Sequence, residues 1–95
     1  MFASTKSART LLNRAIKENQ SFVRDSWTDK TSDSDSTRRS VSFRIPEANS
    51  EKVLATARQL FKDQGYTGSV PKLTVSYEGT RYGGYTYIRV IAAMS

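Results

Sequence analysis

From Thr28 to Arg38 the chain runs through eleven residues, Thr-Asp-Lys-Thr-Ser-Asp-Ser-Asp-Ser-Thr-Arg, without one apolar side chain. Such a stretch has nothing to bury, and its composition predicts a solvated linker. It divides the 95 residues into an N-terminal segment, 1–27, a polar acidic linker, 28–38, and a C-terminal unit, 39–95. A domain of about 60 residues buries only roughly 60% of its unfolded surface. The C-terminal unit therefore needs cover, from the N-terminal segment or from a partner.

The N-terminal segment has helical periodicity from about Thr5 to Val23. Ala8, Leu11, Leu12, Ala15, Ile16, Phe22 and Val23 fall on one side at 100° per residue, with Trp27 near the edge of that stripe. Arg14, Lys17 and Arg24 lie opposite, and Arg9 sits at the boundary, where its stem can lie over apolar surface. An acid-free, Arg-bearing start is also the composition of organelle transit peptides and of helices that lie on membranes. The reading adopted is a helix that completes a core or docks in a partner's groove, with Arg9, Leu12, Arg14, Ile16 and Lys17 as its contacts.

In the C-terminal unit, Val41, Phe43 and Ile45 alternate with Ser40, Ser42 and Arg44, the period of a half-buried strand that Pro46 ends. Asn49 or Ser50 caps a helix running to about Gln64, with Val53, Leu54, Ala57, Leu60 and Phe61 inward and Gly65 as its stop. Two strands follow. Lys72–Glu78 alternates Leu73, Val75 and Tyr77, Tyr85–Ala93 alternates Ile88, Val90 and Ala92, and the loop Gly79–Gly84 joins them. The expected fold is α+β: a small three-stranded sheet with one packed helix, in the order α-β-α-β-β, plus the N-terminal helix on its polar linker.

Charge and missing residue types narrow the function. The chain is basic, with 15 Lys and Arg against 9 Asp and Glu and a net charge of +6. The excess lies on either side of the acidic linker. Cys and His are both absent, which removes disulfides, the usual zinc sites and every mechanism that needs a thiolate or an imidazole. Glu47, Glu51, Asp63 and Glu78 are scattered, and no nucleotide-binding glycine motif occurs. The Asp33-Ser34-Asp35 start of a calcium-type loop lacks the glycine and the acidic residue that complete it. The sequence therefore predicts no enzyme, no metal and no cofactor. No apolar run approaches a membrane span. The lack of Cys and of a signal-peptide pattern points to an intracellular setting, with organelle targeting as the alternative.

If Ile88, Val90 and Ala92 face the core, Tyr85, Tyr87 and Arg89 share the opposite face, with Arg44 and Lys72 beside them. Arg81 and Tyr82 add a cation and a ring near the hairpin tip. Arg and Tyr are common anchors of protein contacts. The expectation is a small basic binding subunit, an adaptor, assembly linker or inhibitor, docked on an acidic protein surface in a larger assembly. The alternative is a single-stranded nucleic-acid binder that stacks bases on the same rings. Tyrosines are also favoured in any strand, and the first helix is free to cover this face.

The run Arg38-Arg39-Ser40, a strand, Pro46, a helix and Gly65 resembles the strand–proline–helix–glycine core of the small linker domains of phycobilisomes. Those are basic, non-enzymatic proteins threaded through acidic light-harvesting assemblies, and the resemblance implies a linker role of that kind. It covers under half of the chain. The family's glycine pair after the helix is missing, and polar sequence stands where the family has a strand ahead of Arg38.

Overall fold

The computed structural model describes residues 5–32, 37–66 and 72–94. In chain order these form α1 (Thr5–Glu18), β1 (Asp25–Ser32), β2 (Thr37–Pro46), a single 3-10 turn (Glu47–Asn49), α2 (Ser50–Asp63), β3 (Lys72–Tyr82) and β4 (Tyr85–Met94). The strands make one four-stranded sheet in the order β1-β2-β4-β3, with every neighbouring pair antiparallel. The α+β class stands, but the sheet has four strands rather than three.

The added strand comes from the polar stretch. Asp25–Ser32 pairs residue for residue with β2, from Asp25 opposite Arg44 to Ser32 opposite Thr37. This edge strand needs no apolar period, because the β2 ladder and side-chain hydrogen bonds hold it. Arg9 of α1 reaches across to donate to Ser26 Oγ at 2.8 Å and Thr28 Oγ1 at 2.7 Å. Most of the expected linker is therefore sheet, and a strand does precede Arg38-Arg39-Ser40. Residues 33–36, with the Asp33-Ser34-Asp35 motif, lie outside the described residues.

Both helices bury their apolar sides in one core. Ala8, Leu11, Leu12, Ala15 and Ile16 of α1 join Val53, Leu54, Ala57, Leu60 and Phe61 of α2 against Val41, Phe43 and Ile45 of β2 and Ile88, Val90 and Ala92 of β4. Each fully buried Leu or Ile contributes about 1.5–3 kcal/mol of transfer free energy. The cover that the C-terminal unit lacks is thus supplied by α1, packed beside α2 and over β2. Arg9 adds its guanidinium 5.3 Å from the Phe43 ring centre.

The first helix is shorter than its periodicity predicts. It stops at Glu18, where Gln20 takes a left-handed φ of 56°. The Gln20 and Ser21 amides turn back to the Lys17 and Ile16 carbonyls, each at 3.0 Å. α2 ends in the same hydrogen-bond pattern at Gly65, with the Tyr66 amide bonded to the Phe61 carbonyl and the two rings 5.9 Å apart. Beyond α1, Phe22 and Val23 part company: Val23 packs on the core, and Phe22 turns to the other side of the sheet.

The β3–β4 hairpin is tighter than the loop Gly79–Gly84 expected from sequence. Tyr82 pairs with Tyr85 across a two-residue turn, Gly83-Gly84, in which both φ angles are positive. Gly79 instead lies in a bulge of β3 between Ser76 and Thr80, again with positive φ. Tyr77, expected to continue the alternation of Leu73 and Val75, sits in this bulge and is 68% exposed.

Candidate functional site

With both helices on one side, the other face of the sheet is left without a covering helix. Strand alternation fixes what it presents: Asp25, Trp27 and Asp29 from β1, Ser40, Ser42 and Arg44 from β2, Tyr85, Tyr87, Arg89, Ile91 and Ala93 from β4, and Lys72, Thr74 and Ser76 from β3. Aromatic rings gather near the hairpin turn, arginines occupy the middle, and small side chains with Lys72 fill the far end.

The middle is built around Trp27. Arg44 and Arg89 are register partners on β2 and β4, and their guanidiniums lie 4.6 and 5.8 Å from the indole centre. Like charges directly opposite each other destabilise a sheet. The ring offsets part of that cost through its negatively polarised face. Trp27 is itself held, since Nε1 donates to Asp29 Oδ2 at 2.9 Å, and Arg44 donates to Asp25 Oδ2 at 2.8 Å.

The aromatic end joins this centre through Arg24. Its amide donates to the Arg44 carbonyl at 2.9 Å, and its guanidinium lies 5.3 Å from the Tyr87 ring centre. Phe22 meets Tyr85 and Tyr87 edge to face at 5.2 and 6.2 Å. Together these groups leave Tyr87 only 4% exposed, while Tyr85 keeps 51% and Phe22 43%. A groove of about 380 Å³ lies beside Tyr85, lined also by Pro46, Glu47, Ala48, Gly84 and Thr86.

Of the residues singled out from sequence, Arg44, Tyr85, Tyr87 and Arg89 come together on this face. Lys72 shares it but lies at the far end, opposite Ala93. Arg81 is exposed near the hairpin turn, and the side chain of Tyr82 lies outside the described residues. The α1 group divides. Leu12 and Ile16 are taken up by the core, Arg9 turns to β1 and Phe43, and Arg14 and Lys17 face solvent. Sequence reasoning missed Phe22, Arg24 and Trp27, which it assigned to the first helix or its edge. Their signal was weak: a Trp between two aspartates is legible only once residues 25–32 are read as a strand.

Among the described residues, no group of three or more Asp or Glu side chains is placed to hold a metal ion, and no helix is long and apolar enough to cross a membrane. No protein-family model, curated protein or solved structure matches the chain.

Proposed function

We propose that the chain is a non-enzymatic, basic docking subunit whose helix-free sheet face engages an acidic protein surface within a larger assembly. The observation that carries this reading is the arginine-on-ring cluster. Arg24, Arg44 and Arg89 stand beside or over Tyr87 and Trp27, next to the exposed rings of Phe22 and Tyr85. Guanidiniums positioned by ring contact lose little rotamer freedom on binding, and Arg with aromatic neighbours is the usual composition of an interface anchor. The net charge of +6 sets the sign of the partner.

Single-strand binding by base stacking is the rival. Tyr85 favours it, being half exposed on an open sheet. Tyr87 does not, since Phe22 and Arg24 cover it and a base has no access to its ring without moving them. The stacking platform is reduced to one accessible tyrosine on β4.

The two readings separate in a fluorescence anisotropy titration. A labelled polyglutamate peptide and labelled 12-nucleotide RNA and DNA are each titrated with the protein at about 150 mM salt, where non-specific nucleic-acid binding is weak at about 10⁻⁴ to 10⁻⁶ M. The docking reading expects the peptide to bind more tightly than either oligonucleotide, and Arg89→Ala to weaken it by about 5- to 30-fold, as interface anchors do. Submicromolar oligonucleotide binding that Tyr85→Ala reduces by 1–3 kcal/mol of affinity, roughly 5- to 150-fold, would put base stacking in its place.

A further inference from the structure

The helical side of the sheet is the more strongly charged of the two faces. The exposed cations of its helices and of the far β1–β2 end are Lys6, Arg14 and Lys17 on α1, Lys52, Arg58 and Lys62 on α2, and Lys30 opposite Arg39 where β1 and β2 extend on that same side. Three exposed carboxylates stand among these eight cations, Glu18, Glu51 and Asp63. Glu18 pairs with Arg14 at 3.0 Å, and Asp63 accepts a hydrogen bond from Gln59 at 2.8 Å. Between α1 and the end of α2 a groove of about 440 Å³ is lined by Lys6, Thr10, Arg14 and Gln64 together with Ser7, Leu11 and Tyr66. The open sheet face carries a smaller excess, Arg24, Arg44, Arg89 and Lys72 against Asp25, Asp29 and, in the groove beside Tyr85, Glu47.

These surfaces stand back to back. The described molecule measures 42 × 30 × 18 Å, and the core lies between the helices and the sheet. A body docked on one broad face leaves the other open. The faces also differ in kind. Among the described residues the exposed large hydrophobic ones are Phe22, Tyr77 and Tyr85, and none lies on a helix. The helices offer an incoming body mainly charge, with Leu11 and Tyr66 in the groove as their apolar contribution.

We infer that the chain is a bridge: its helical face docks a second acidic protein body while its sheet face holds the first. This rests on the docking role proposed for the sheet face. An acidic protein surface, rather than a nucleic acid, fits the helical face because carboxylates are interleaved with its cations. Glu18, Glu51 and Asp63 repel a continuous phosphate backbone, whereas a protein surface of mixed charge can set lysines against them. A contact made mainly of exposed charges is screened within a Debye length, about 10 Å at 0.1 M salt and 3 Å at 1 M. The helical contact is therefore the first to be lost as salt rises.

The test uses the full chain and two batches of polyglutamate-coated particles carrying donor and acceptor dyes. At about 50 mM salt, substoichiometric protein is expected to draw the batches together and raise energy transfer. A large excess of protein should disperse them again, because every particle is then saturated singly. Near 0.5 M salt the particles should separate while still holding protein. Lys6→Glu/Lys52→Glu/Arg58→Glu is expected to abolish clustering and keep single-particle binding. Two of its changes place acids in the first turns of helices, where the helix dipole favours them, so the fold is spared. Binding without clustering at any ratio, or clustering that survives in the triple variant, overturns the bridge and leaves the sheet-face reading intact. No binding to either batch overturns both.

Discussion

Gln20 is the one described non-glycine residue with a left-handed backbone, at φ 56°. A side chain there crowds the following carbonyl and costs about 1–2 kcal/mol, whereas glycine has no such clash but gives up more chain entropy on folding, about 0.5–1 kcal/mol. The difference favours Gln20→Gly. It should stabilise the fold by about 0.5–1 kcal/mol, seen as a melting temperature higher by a few degrees. The glycine stop of α2 was legible because Gly65 announces itself, while its counterpart on α1 is written with a residue that carries no such signal. Trp27 sets a second residue-scale case. Replacing it by Ala removes the ring shared by Arg44 and Arg89, each contact worth about 0.5–1 kcal/mol, and leaves two cations facing each other across β2 and β4. Trp27→Ala should cost about 1–2 kcal/mol in urea unfolding at 20 mM salt and less at 500 mM, where the repulsion is screened. An equal cost at both would mean that the ring acts by packing alone.

The first helix is the element on which sequence reasoning left the widest choice, between a free docking arm and a part of the core. Leu12 distinguishes them, being 0% exposed among α2 and β2 residues. Leu12→Ala should lower stability by about 2–5 kcal/mol, as for a buried leucine. Arg14→Ala, which breaks only an exposed pair with Glu18, should change it by less than about 0.5 kcal/mol. Two near-neutral variants in the same urea titration would return the helix to a docking arm. β2, α2 and β4 were legible because each buries one side and shows the matching period. β1 was not, because Ser26, Thr28 and Lys30 face the helical side at an edge that asks for hydrogen bonds rather than apolar volume. Apolar periodicity reports what is buried, so an edge strand of Ser, Thr, Asp and Lys leaves no trace in it.

At the scale of the whole molecule, the grouping of Arg44, Tyr85, Tyr87 and Arg89 was readable from alternation within β2 and β4 together with their pairing. The way Phe22, Arg24 and Trp27 complete that surface was not, since it depends on how residues 21–24 leave α1 and enter the edge of the sheet. The charge balance of the two faces was hidden for the same reason. It appears only when α1 is laid beside α2, so that cations far apart in sequence share one side. The strand order carries a consequence for how the protein is made. β4 is written last among the described elements, yet it lies between β2 and β3, which have no contact with each other as neighbours until it arrives. A chain growing from the ribosome can form α1, α2 and the β1–β2 hairpin. It cannot complete the sheet before residues 85–94 have left the exit tunnel, so folding waits for the end of this stretch, and a ribosome stalled earlier leaves the β2 edge that pairs with β4 without its partner strand.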